Sequence, residues 1–259
     1  MKKTMVSILL VVFVMISLIM AGCASGTDST RATLSVEEHP LTGSPQIDPF
    51  VFTPMDGSQE EVLKLHAADR SLSFPDQSTT IAGNFAFTGN LDGKPLVAAQ
   101  TFINNSSESY VWVTLDGNEI YRISTGPASP ITTLRGLWIY DSHWALETVL
   151  IDLEGDNIVT PFALGQISMD GALQNETKGY ADAFGLQTIA GNPFYFFKKD
   201  GKIGYFYDGK ETMLAYEEIP HFNCCGESVL NPIQAQNMVA FFARTGDAWY
   251  YVEAGIFNK

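Results

Sequence analysis

An all-β, antiparallel fold is what this sequence predicts, and three observations lead there. Asp-Gly pairs recur at Asp92-Gly93, Asp116-Gly117, Asp170-Gly171, Asp200-Gly201 and Asp208-Gly209. Glycine supplies the positive φ of a tight hairpin turn, and aspartate tolerates it. The segments between these turns are β-branched or aromatic, as in 110–115 (Tyr-Val-Trp-Val-Thr-Leu) and 203–207 (Ile-Gly-Tyr-Phe-Tyr). From residue 79 onward no apolar repeat of helical period intervenes, so short connections join strand to strand.

The strands follow in order. Segments 96–99, 110–115 and 119–123 form a first group, and 148–152 belongs to a second. Segments 194–197 and 203–207 form a third, and 239–243 and 249–253 a fourth, with the last strand, Trp249–Val252, expected inside its sheet. A strand–turn–strand unit with aromatics thus recurs over roughly 80–124, 134–175, 184–218 and 236–257, about the spacing of propeller blades. No signature of a known blade family accompanies it. A small β-propeller or propeller-like meander is the expected architecture, with a β-sandwich or open barrel as the alternative. The 17 Phe, 10 Tyr and 4 Trp of the chain are expected mainly in the packing between sheets.

Ahead of residue 79 the chain changes character twice. Ser58-Gln59-Glu60-Glu61 offers a capping box, and Val62, Leu65 and Ala68 recur at helical spacing, which predicts one short N-terminal helix within 58–78. Residues 23–57 are rich in Ser, Thr, Gly and Pro and read as a flexible tether. Residues 1–22 hold Lys2 and Lys3, an apolar run from Met5 to Met20, then small residues, the order of an export signal.

The signal ends in Met20-Ala21-Gly22-Cys23, which resembles the lipobox of bacterial lipoproteins, with Met20 in place of the usual Leu. The resemblance implies cleavage before Cys23, lipid on its thiol, and acylation of the new amino group. A domain outside the cytoplasm, anchored in the cell membrane or the outer membrane, is the expected location. Several acyl chains hold a protein stably where one holds it marginally, so the domain need not bind lipid itself. The C-terminal stretch resembles domains of uncharacterised exported lipoproteins, which implies location and carries no catalytic residues.

Charge narrows the partners. Fifteen Lys and Arg stand against 29 Asp and Glu, a net charge of −14. Loss of residues 1–22 removes two lysines and no acid and leaves −16. Such a surface repels nucleic acid and anionic headgroups. The membrane, through the lipid, and an unknown envelope ligand or protein are the expected partners.

No catalytic constellation is legible. There is no G-x-S-x-G elbow, no H-E-x-x-H and no pair of C-x-x-C motifs, and His39, His66, His143 and His221 are scattered. No cofactor, metal site or catalytic residue is assigned. The expected function is therefore a ligand- or protein-binding module, not an enzyme. The alternative is a carboxylate-dependent enzyme acting on envelope polysaccharide or peptidoglycan, whose paired acids sequence spacing cannot reveal. Around Trp138, period two puts Trp138, Tyr140 and Ser142 on one face and Ile139, Asp141 and His143 on the other.

Cys224 and Cys225 are the only thiols left once Cys23 is lipidated. An oxidising compartment favours pairing them as a vicinal disulfide. Consecutive Cα atoms about 3.8 Å apart would strain a bond that prefers roughly 4.4–6.8 Å. Two free thiols or a metal contact are the other readings. Pro220, Asn223 and Gly226 suit a turn there, so His221, Phe222 and Asn223 are candidates for a ligand-facing loop.

Overall fold

The computed structural model describes residues 34–43, 46–47, 52–53, 78–81, 84–101, 108–127, 132–152, 162–221, 231–235 and 237–256. The fold is all-β and antiparallel, as the turn pattern predicts. Ser35–Pro40 forms β1, followed by the short pair β2 (Gln46–Ile47) and β3 (Phe52–Thr53). The first large sheet is a five-stranded meander of β4 (Ser78–Ile81), β5 (Asn84–Leu91), β6 (Lys94–Thr101), β7 (Glu108–Leu115) and β8 (Asn118–Pro127). The second holds β9 (Leu134–Tyr140), β10 (His143–Asp152), β11 (Phe162–Met169) and β12 (Ala172–Leu173). The third holds β13 (Asp182–Ile189), β14 (Asn192–Lys199), β15 (Lys202–Tyr207) and β16 (Lys210–Met213). The fourth runs β17 (Ile233–Ala235), β18 (Met238–Thr245), β19 (Ala248–Gly255), and is completed by β1.

The turns work as the sequence predicts. All five Asp-Gly pairs have both residues at positive φ, for example 50° at Asp92 and 81° at Gly93, the twist that lets a two-residue hairpin close without splaying its strands. The β13–β14 hairpin uses Ala190-Gly191 in the same conformation, a turn its composition does not announce.

The four sheets pack in chain order, one face against the next. Phe87, Leu96, Val111 and Val113 of the first sheet meet Leu137, Trp144 and Leu146 of the second. Ala145 and Ile167 of the second meet Ala183, Leu186, Tyr195 and Phe197 of the third. Phe194, Phe196 and Tyr205 of the third meet Val239, Phe241 and Val252 of the fourth. The run Phe194–Phe197 is fully buried because sheet three has a neighbour on both faces, so alternate side chains enter two different cores. Each such side chain removed from water contributes about 1.5–3 kcal/mol.

The order of the sheets also brings one strand of each against one strand of the next. β5 lies against β9, β9 against β13, and β13 against β17. None of the four sheets closes on itself.

Two expectations change. The flexible tether, read from residue 23 to 57, gives way at residues 35–40: Ser35 pairs with Gly255 and Pro40 with Tyr250 along the edge of β19. The segment Ser-Val-Glu-Glu-His-Pro looks like a linker because it is an edge strand with most of its side chains in or near solvent. Its order comes from the open backbone groups of β19, which lie more than 200 residues away in the chain. The other change is a five-residue helix, α1 (Gln174–Lys178), closed by Gly179 at φ 71°, inside a region read as strand and turn. The helix expected within 58–78 and the export signal lie outside the described residues. The last strand stands between β18 and β1, inside the sheet as expected.

Candidate functional site

The residues singled out by sequence fall into two groups. Cys23, Phe222, Asn223, Cys224 and Cys225 lie outside the described residues. His221 is described, and it faces inward. Its ring stacks on Phe184 with centroids 3.3 Å apart and planes 7° apart. Its Nδ1 lies 2.6 Å from the Ile219 carbonyl oxygen, and its Nε2 lies 2.8 Å from Asp182 Oδ2. A carbonyl only accepts, so Nδ1 is the donor to it, and Nε2 faces the Asp182 carboxylate. With 15% of its side chain exposed against 11% for Asp182, His221 is a packing and bridging residue. It ties the chain after β16 to the start of β13.

Asp182 begins a polar seam along the boundary between the second and third sheets. Its Oδ1 accepts the Gly165 N–H of β11 at 2.8 Å. Midway along the seam Glu147 of β10 accepts two amides of β13, Gly185 N–H at 3.0 Å on Oε1 and Leu186 N–H at 2.9 Å on Oε2. These amides belong to a bulge, since the β13–β14 register shifts between Phe184 and Gln187. Gly185 makes that bulge with φ 69°, and a Cβ there would stand 2.8 Å from Pro232 Cγ, so glycine is required on two counts. Burial pushes the Glu147 carboxyl up to about 7, against the opposing pull of the two amides, Arg135 and His221. Arg135 is itself largely buried, and that lowers its guanidinium.

The same device recurs one sheet earlier with a neutral group. Gln100 of β6 accepts Thr133 N–H at 2.8 Å and Leu134 N–H at 3.1 Å, both on its single Oε1. In each case the second long strand of one hairpin reaches across to the start of the next sheet. Neither residue was singled out from sequence. Their signal is a polar side chain at a buried position of a core strand, visible only once the inward face of the strand is known.

The seam opens at its other end into a cleft of about 370 Å³, lined by residues 87–90 of β5, 136–139 of β9, and Thr188 of β13. Its walls are therefore strands of three consecutive sheets. Trp138 and Gly136 share a face of β9, and the indole ring lies over the glycine. A Cβ at 136 would sit 2.2 Å from the ring, so glycine is what admits it. Glu147 pairs across the strands with Gly136, which puts the buried carboxylate on the same face of the second sheet. Asn90 sits at the mouth, its Oδ1 accepting the Gly93 N–H at 2.8 Å.

The alternation read for 138–143 holds through Tyr140 and stops there. Trp138 and Tyr140 pack toward the third sheet and Ile139 toward the first. Asp141 and Ser142 are the hairpin turn, with Asp141 at φ 49°, so His143 comes to lie opposite Tyr140. His143 stacks on Tyr140 at 5.7 Å and contacts Asp170 Oδ2 at 2.7 Å. The turn resets the phase that period two carries forward.

Among the described residues no three His, Cys, Asp or Glu side chains gather as a metal site, and no helix is long and apolar enough to cross a membrane. No protein-family model, no curated protein and no solved structure matches the chain.

Proposed function

We propose that the chain is an exported protein anchored by lipid on Cys23, whose β domain is a small propeller-type scaffold that binds a ligand in the cleft between β5, β9 and β13. One observation carries the binding reading: strands of three consecutive sheets converge on a cleft that holds an indole and a facing hydroxyl, the usual make-up of a small-molecule site. The propeller reading is supported by four meander sheets stacked in chain order, by the adjacency of β5, β9, β13 and β17 across them, and by an N-terminal strand that completes the last sheet. The lipid anchor rests on the tetrad Met20-Ala21-Gly22-Cys23.

The alternative, a carboxylate-dependent enzyme, finds no support in Glu147 or Asp182. Both oxygens of Glu147 are taken up by bulge amides, and both oxygens of Asp182 are taken up by Gly165 and His221. A general acid must reach the atom it protonates, and Glu147 is 3% exposed.

The cleft is tested by thermal shift against a small-molecule panel, comparing wild type with Thr188→Trp, which fills the cleft. The expected result is a ligand that stabilises wild type and not the filled variant, with unchanged circular dichroism. Ligands that shift both proteins equally would overturn the site. The anchor is tested by the intact mass of the mature protein, and a mature mass without acyl chains ends that part. The bridge between Cys224 and Cys225 stands as a proposal alongside, decided by counting thiols on denatured, unreduced protein from the envelope.

A further inference from the structure

We infer that the cleft takes an uncharged sugar ring, stacked on Trp138 and hydrogen-bonded by Thr188, whose strand faces the second sheet. This deepens the binding reading above and rests on it. Charge is the first ground. The chain carries 29 acids against 15 bases, yet among the described residues no ionisable side chain lines the cleft. An anion entering would meet a repelling protein and no cation. A cation would lose its water with no carboxylate to replace it. A neutral ligand meets neither cost.

The second ground is the kind of wall. Trp138 presents its ring on the face toward the third sheet, and Thr188 presents a neutral hydroxyl from β13 opposite it. A sugar ring has that same division, with C–H groups on its face and hydroxyls around its edge. The aromatic face covers the first, and groups that both donate and accept serve the second. The volume of about 370 Å³ stands at the small end of ligand sites, the scale of one or two rings and not of a folded partner.

The third ground is that the indole is placed rather than merely present. Trp138 is half-buried, packed against the core between the second and third sheets, and seated on Gly136, where any larger residue would displace it. The seam, where Glu147 holds the β13 bulge, fixes the distance between the strand that carries Trp138 and the strand that carries Thr188. A rigid stacking surface loses little freedom when it binds.

The experiment is calorimetric titration of the full chain in a zwitterionic, sugar-free detergent. The probes are neutral hexasaccharides of glucose, mannose and N-acetylglucosamine, an anionic uronic-acid hexasaccharide, and a cationic glucosamine hexasaccharide. The expected result is binding of at least one neutral probe and of neither charged one. Trp138→Ala should weaken it at least tenfold, Trp138→Phe less, and Gly136→Ala as much as Trp138→Ala. Melting curves of the variants confirm that they fold. Charged probes bound in preference, with Trp138 still required, would overturn the uncharged ligand and leave a sugar cleft standing. No probe bound would overturn the sugar class. Binding indifferent to Trp138, Gly136 and Thr188 would overturn the cleft itself.

Discussion

At the scale of single residues, Glu147 carries the clearest consequence. Its carboxyl is raised from the ordinary 4.5 to about 7 by burial. A raised acid favours the folded state while protonated, so its stabilising contribution is full below about pH 4.5 and fades as pH climbs through about 7. At 1.36 kcal/mol per unit, the fade amounts to about 3 kcal/mol. Glu147→Gln removes the ionisation, and Gln100 shows that one amide oxygen can accept two adjacent backbone N–H groups. The variant should therefore match wild type near pH 5 and exceed it near pH 8, in denaturant titrations at both pH values. Equal pH slopes for the two proteins would contradict the assignment. Gly185→Ala is expected to act in the opposite sense, costing about 1–3 kcal/mol at any pH, because the bulge needs φ 69° and Phe196 and Pro232 leave no room. Chemical denaturation measures it, and a loss under 0.5 kcal/mol would contradict it.

Among the elements, β1 is the informative one. Few of its side chains are buried, so it adds little to the apolar core. It contributes instead the backbone partners of β19, the packing of His39 beside Tyr251 at 6.1 Å, and Glu38 as acceptor for the Tyr216 hydroxyl. Removal of residues 34–40 leaves β19 as an unprotected edge. The amides of Ala248–Gly255 that face β1 should then exchange with solvent much faster, while β9–β12 stay protected, as hydrogen–deuterium exchange would read. Uniform protection across β19 would mean that β1 is dispensable. Truncation from Phe241 onward is far more severe. It removes most of β18, all of β19, and with them Phe241, Phe242 and Tyr251, all fully buried. Loss of a cooperative thermal transition is the expected outcome, since each aromatic deleted from such a core costs about 3–5 kcal/mol.

For the whole molecule, docking β1 changes what the proposed anchor can do. A tether running to residue 57 would let the domain roam. With β1 in the fourth sheet, only residues 24–34 separate Cys23 from Ser35. Eleven residues span at most about 36–40 Å fully extended, and about 17–20 Å as a flexible coil. The domain would thus be held close over the bilayer. A force pulling it away would act along β1, shearing it from β19. Cys23→Ser should release the protein from the membrane fraction or leave its precursor uncut, and fractionation with mass analysis reads either result. A Cys23→Ser protein that stays membrane-bound at its cleaved mass would contradict the anchor.

The hairpins were legible in the sequence because their causes are local. Asp-Gly demands a positive-φ turn wherever it falls, and β-branched and aromatic runs favour strands whatever they later pack against. The grouping into units was legible for the same reason, since successive hairpins pair with themselves. Tertiary structure alone decided the rest. His143 is opposite Tyr140 because a turn at Asp141-Ser142 breaks an alternation that looked continuous. His221 is an inward bridge because Asp182, 39 residues earlier, lies beneath it. Glu147 and Gln100 matter because their partners are backbone amides of the next sheet, which leave no mark on side-chain spacing. The strand at residues 35–40 exists because β19 offers an open edge. The cleft exists because β5, β9 and β13, strands some 50 residues apart, meet where the sheets stack. Local chemistry fixes turns and strands, whereas a site made by the meeting of sheets depends on distances that no short stretch of sequence encodes.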